Sequence, residues 1–151
     1  MREVVLIPLG ILTGIAVIFG ALYLRTLLII KDRTNVALNL VKRHKILLME
    51  KAANFFGQAS KGPKQFRGNG ILIFTDKGLF FEMWTPKKSL KIPISSIIGA
   101  EKANRFLDKT NLKPLLKVRF FNKSGIEDSA AWLVKDPEKW IFRINKVIKS
   151  L

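Results

Sequence analysis

The longest apolar run in the chain, VVLIPLGILTGIAVIFGALYL from Val4 to Leu24, carries no charge, and only Thr13 and Tyr23 bring side-chain polar groups into it. A helix of that length rises about 30 Å, the thickness of the hydrocarbon layer of a bilayer, so the run predicts a membrane-spanning anchor. A cleavable signal peptide would have a basic leader, a shorter apolar core and a small-x-small cleavage site. Met1-Arg2-Glu3 and Arg25-Thr26-Leu27-Leu28, on either side of the run, do not match that design. A second pattern follows at helical spacing. Val36, Ala37, Leu40, Val41, His44, Leu47 and Leu48 fall on one face, with Asn39, Lys42, Arg43 and Lys45 on the other. It predicts an amphipathic juxtamembrane helix over 32–49, capped among Asp32, Thr34 and Asn35, that lies in the membrane interface, packs on the domain behind it or, since no Gly or Pro falls between Ala21 and Phe56, continues the anchor.

From about Glu50 the period shortens to that of strands. Lys51 to Gly57 can end the helix or form a first strand, and Gly57, Gly62 and Pro63 close it off with a loop. Gly70 to Thr75 and Leu79 to Trp84 read as a hairpin, with Gly78 supplying the positive φ of its turn. Leu90, Ile92 and Ile94 alternate with Lys91 and Pro93, and the proline demotes the end of that strand to an edge or a bulge. Ile97 to Lys102 continues as a short strand, and Ala103 to Pro114, without sustained period, reads as the longest loop. Leu116, Val118 and Phe120 begin a second hairpin that turns at Asn122-Lys123-Ser124-Gly125 and returns over Ile126 to Val134. Asp136 as N-cap, Pro137 in the first turn and Glu138 behind it open a final helix whose apolar stripe is Trp140, Ile141, Ile144, Val147, Ile148 and Leu151. The organisation expected is an anchor and flank over 1–31, the amphipathic helix over 32–49, and a mainly β domain over 50–151. Six or seven short antiparallel strands followed by one amphipathic helix describe a small barrel or sandwich plugged by that helix.

Charge adds an orientation. Arg2 stands alone before the anchor, whereas Arg25, Lys31, Arg33, Lys42, Arg43 and Lys45 follow it, so the positive-inside rule expects the carboxyl-terminal domain in the cytoplasm, at the inner membrane. Arg25, Lys31 and Arg33 are expected to reach the headgroups from the end of the helix. Gly10 and Gly14 form a small-xxx-small pair through which two anchors could pack as a homodimer, although Pro8 lies close by. The chain of 151 residues carries 27 basic and 11 acidic residues, a formal charge of +16. From Lys61 onward 19 basic residues face eight acidic ones. A domain so charged is attracted to anionic lipid, at about 1 kcal/mol for each Lys or Arg near the surface. The absence of cysteine excludes disulfides and thiolate chemistry.

The residues that carry a likeness are GNGILIFTDKGLFFEMW, then LKIPISSIIGAEK, then LLKVRFF and DSAAWLVKDPEKWIFRI. In this order they resemble the pleckstrin-homology-like superfold in its GRAM-type and bacterial PH-like versions, over roughly Glu50 to Leu151. The resemblance implies a seven-stranded bent sheet with Trp140 capping the core, and binding to phosphoinositides, other anionic lipids, peptides or proteins. Strong phosphoinositide binders of that superfold crowd basic residues onto the loop between the first two strands. Here that loop, Gln58 to Asn69, offers Lys61, Lys64 and Arg67 but no tight basic-x-basic cluster.

Chemistry beyond binding finds little support. His44 has neither a metal partner nor a nucleophile to activate, so it reads as a packing residue, and no nucleophile elbow or phosphate loop is present. Glu127 and Asp128 fall on opposite faces of a strand. The expectation is a membrane-anchored, non-enzymatic binding or scaffolding module without cofactor or metal, touching anionic phospholipids through Lys61, Lys64, Arg67, Lys87, Lys88, Arg105 and Lys109. The alternatives are an adaptor for a protein or peptide partner, and a basic domain for nucleic acid. The last lacks a recognition helix or the glycine pattern of an RNA-binding strand.

Overall fold

The structure is a computed structural model describing residues 2–151, with side chains from Gly10 onward. It divides after Asp32 into two compact units. The first consists of α1 (Arg2–Leu40) up to that point. Its described apolar side chains, among them Ile11, Leu12, Phe19, Leu22 and Leu24, are exposed, and from Gly10 the helix is long and apolar enough to cross a membrane.

The expected cap and second helix over 32–49 give way to a different arrangement. α1 runs uninterrupted through Asp32, Thr34 and Asn35 to Leu40, and the chain turns over Val41–His44 before β1 (Ile46–Gln58) begins. Tertiary contacts explain the difference. In the last turns of α1, Ala37 and Val41 are buried against Ile71 and Ile73. Arg33 forms a largely buried ion pair with Glu82 and donates to the Met83 carbonyl at 3.2 Å. Leu47 and Leu48, which also fit helical spacing, are on β1 instead, where Leu48 pairs with Phe74. His44 packs as expected, 5.7 Å from the Phe80 ring, but from the turn and not from a helix.

The second unit is a seven-stranded antiparallel sheet, curled into a half-barrel and closed by a carboxyl-terminal helix. After β1 come β2 (Gly68–Thr75), β3 (Gly78–Met83), β4 (Lys88–Pro93), β5 (Ile97–Phe106), β6 (Lys109–Phe121), β7 (Glu127–Leu133) and α2 (Pro137–Ile148). Their order in the sheet is β4-β3-β2-β1-β7-β6-β5, so Pro93 does sit on an edge strand, at its end. The β2–β3 turn is Asp76-Lys77, and Gly78 opens β3 behind it at φ +147°.

The concave face holds the main core. Phe55, Phe81 and Trp132 stack or meet edge to face with centroids 5.3 to 5.9 Å apart, and α2 lays the buried Trp140 and Ile144 over them. Burial of one such side chain contributes about 2 kcal/mol. The Asp136 side chain caps α2 by accepting from the Lys139 amide at 3.0 Å. The Asn145 amide donates to the Ala100 carbonyl at 2.9 Å and accepts from the Ala100 amide at 2.8 Å, which satisfies part of the open β5 edge. Leu151, the last member of the predicted stripe, is exposed.

Two patches of the convex face are also covered, which explains why Ile71 to Phe74 is continuously apolar instead of alternating. The end of α1 covers Ile71 and Ile73. The far part of the β5–β6 hairpin covers Phe56, Leu115 and Ala131 with Phe106 and Leu107. The loop expected over 103–114 is therefore a hairpin. It turns at Leu107 and Asp108, both with positive φ, a geometry usually carried by Asn-Gly or Asp-Gly. Leu107 accepts it because its side chain packs where a Cβ on Gly57 would stand, 2.6 Å away.

Candidate functional site

The loop between β1 and β2 begins with a 3-10 turn, Ala59–Lys61, tied down by Asp128. The Asp128 carboxylate accepts from Gln58 Nε2 and Ser60 Oγ at 2.6 Å each, from the Ser60 amide at 2.9 Å and from the Ser129 amide at 2.8 Å. Burial alone would raise its pKa; the bonds from Ser60 and Gln58 outweigh burial and hold the pKa below the usual aspartate value. Its neighbour Glu127 faces outward and pairs with Arg119, so the two carboxylates do point apart.

Gln65 organises the rest of the loop. Its Nε2 donates to the carbonyls of Gln58 and Gly62 at 2.7 and 2.6 Å, folding the loop back on itself. Two lysines from distant elements converge on it. Lys88 Nζ, at the start of β4, donates to Gln65 Oε1 at 3.0 Å and stands 4.6 Å from the Phe55 ring centroid. Lys109 Nζ, from the β5–β6 hairpin, donates to the carbonyls of Gln65 at 3.0 Å and Phe56 at 3.4 Å. Burial lowers the Lys88 pKa, and the charges of Lys61 and Lys109 lower it further. Arg67 lies 3.6 Å over the Phe56 ring and donates to Asn54 Oδ1.

Of the seven candidate cations, Lys61, Arg67, Lys88 and Lys109 are thus gathered around this loop, and Lys64 lies on it, exposed. Lys87 is exposed beside Lys88. Arg105 is drawn aside into an ion pair with Asp108 at 3.2 Å. Arg25 and Lys31 are exposed on α1, whereas Arg33 is committed to Glu82. Gln65 and Asp128 were missed by sequence reasoning, since a neutral loop amide and a strand carboxylate give no local signal of their partners.

The acidic residues are engaged elsewhere. Between Arg33 and Leu151 the chain has nine carboxylates, Glu50, Asp76, Glu82, Glu101, Asp108, Glu127, Asp128, Asp136 and Glu138. Besides those already placed, Glu101 pairs with Lys117, Glu138 with Lys102, Asp76 with the Lys45 amide and Lys77, and Glu50 with the Lys135 amide. Among the described residues none pairs with Lys61, Lys64, Arg67, Lys87, Lys88 or Lys109, so the loop presents uncompensated positive charge. No group of three His, Asp or Glu side chains converges among the described residues. The arrangement can hold an anion.

Comparisons with known proteins locate the fold. No protein-family model and no curated protein matches the chain. Among solved structures, the carboxyl-terminal domain of an unknown protein from Leishmania infantum aligns at TM-score 0.56 with 10% identity, over 80% of this chain and 98% of that one. A chain of the 8S snRNP assembly intermediate aligns at TM-score 0.54 with 9% identity, over 70% and 84%. A linker-DH/PH fragment of p115-RhoGEF aligns at TM-score 0.46 with 11% identity, over 72% of this chain and 30% of that one. The first two likenesses establish the half-barrel fold and leave function to the residues of the site.

Proposed function

We propose that the chain is a membrane-anchored, non-enzymatic binding module of pleckstrin-homology-like architecture, held at the inner leaflet, whose β1–β2 loop end contacts anionic lipid headgroups. The observation that carries this reading is a local crowding of cations. Lys61, Lys88 and Lys109 stand close enough at one loop to repel one another and pair with no carboxylate among the described residues, whereas Arg105, Lys117, Arg119 and Lys102 on β5 and β6 are paired. Crowded cations of this kind are relieved by an anion, and lysines bind phosphate as point charges. Phe66, 77% exposed between Lys64 and Arg67, suits insertion among headgroups. The cytoplasmic side follows from the positive flank after the apolar helix.

Hydrogen exchange of the full chain in lipid nanodiscs tests this. Adding phosphatidylserine to phosphatidylcholine discs should slow exchange over residues 59–67 and 84–88, salt should reverse the effect, and Lys88→Glu with Lys109→Glu should abolish it. Protection should also fade as pH rises through the lowered pKa of Lys88, below the ordinary lysine range, because the neutral amine no longer attracts phosphate. Exchange indifferent to lipid charge would reject the lipid reading in favour of a protein partner.

A further inference from the structure

A groove of about 570 Å³ opens at the seam of the half-barrel, between β4, the start of the β1–β2 loop and the β6–β7 turn. This volume lies within the range of about 300–1,000 Å³ typical of small-ligand sites. Its wall is of two kinds. Leu90, Pro93 and Phe121 line it with apolar surface that the fold leaves at least partly accessible, Phe121 being 50% exposed. Lys61, Lys91 and Lys123 line it with three exposed cations. Among the described residues none of the three forms an ion pair, because the carboxylates of this unit are engaged as described above. Asp128 lies beside the groove but is saturated by Gln58, Ser60 and Ser129.

The β4 edge beside the groove is short and ends in Pro93, which has no amide hydrogen, so an added peptide strand would find an incomplete ladder. A free inorganic anion would use the lysines and leave the apolar wall in water. A neutral chain would leave three like charges uncompensated. One chemistry uses both walls.

We infer that the seam groove binds a single-chain amphiphile with a phosphate head, its head among Lys61, Lys91 and Lys123 and its hydrocarbon chain along Leu90, Pro93 and Phe121. The inference deepens the membrane reading and rests on it for the source of the ligand, which is the bilayer. Lys61 is shared with the cationic loop, but Lys91 and Lys123 belong to the groove alone, so the two sites are separable by mutation.

The test uses the full chain in phosphatidylcholine nanodiscs and, as probe, lysophosphatidic acid carrying a photoactivatable group on its chain. Crosslinks should map to 88–93 and 120–124 and be competed by unlabelled lysophosphatidic acid but not by lysophosphatidylcholine or glycerol phosphate. Lys91→Glu with Lys123→Glu should lower this labelling about tenfold, the loss expected of charge-assisted contacts. Lys88→Glu with Lys109→Glu, which alters only the surroundings of the shared Lys61, should lower it far less than Lys91→Glu with Lys123→Glu does while abolishing the exchange protection described above, so that failure of one site does not mimic failure of the other. Labelling confined to α1, equal competition by lysophosphatidylcholine, or equal competition by glycerol phosphate would each overturn the proposal.

Discussion

Four hydrogen bonds meet on the Asp128 carboxylate, two of them from Ser60, and they fix where the β1–β2 loop leaves the sheet. Asp128→Ala leaves the part-buried donors of Gln58, Ser60 and Ser129 without their charged acceptor, and urea unfolding of the full chain in neutral detergent should show a loss of about 1–2 kcal/mol. The pH dependence has a definite sign. A carboxylate whose folded pKa is depressed stabilises the fold fully above its unfolded value, near 3.9, and loses that contribution as pH falls through the folded value. The advantage of the native chain over Asp128→Asn should therefore be constant at neutral pH and shrink in acid below about pH 4. None of this was legible in the local sequence, where Asp128 is one carboxylate in an alternating strand. Apart from the adjacent Ser129, its partners Gln58 and Ser60 lie about seventy positions earlier, and only strand pairing brings them together.

At the scale of elements, the end of α1 is part of the folded domain. Arg33 and Glu82 are 12% and 4% exposed, so removal of one partner leaves a buried charge. Arg33→Met or Glu82→Gln alone should destabilise the domain by about 3–5 kcal/mol, and Arg33→Met with Glu82→Leu should recover much of it, measured as a coupling in a double-mutant cycle. A fragment beginning at Arg33 keeps this latch and the cover over Ile71 and Ile73. A fragment beginning at Glu50 loses both, together with the pairs Ile46↔Thr75, Leu48↔Phe74 and Met49↔Ile73. The first should unfold cooperatively by circular dichroism and the second should aggregate or melt without a transition. The hairpins over 70–84 and 116–134 and the capped helix at 136 were legible, because their turns and caps carry their own signals. The helix end and the β5–β6 hairpin were not. Ile46 to Met49 satisfies helical and extended spacing alike, and the Leu107-Asp108 turn draws its stability from the packing of Leu107 beside Gly57.

For the whole molecule, the asymmetry of charge around the apolar helix makes a topological prediction. A fluorescent reporter that folds only in the cytoplasm, fused after Leu151, should be bright, and a periplasmic phosphatase at the same point should be inactive; the reverse pattern would invert the orientation. By itself, the order of residues determined that one helix is long and apolar enough to span a bilayer, that a mainly β domain with a terminal helix follows, and that the chain is strongly basic. These depend on length, period and composition, which are local or additive quantities. Which cations remain unpaired was decided only in three dimensions. Nine carboxylates are too few to neutralise the basic residues of the domain, and the strand register and packed helices bring most of them to other cations or to backbone amides. Among the cations left without a carboxylate partner, one group gathers at the β1–β2 loop and another lines the seam.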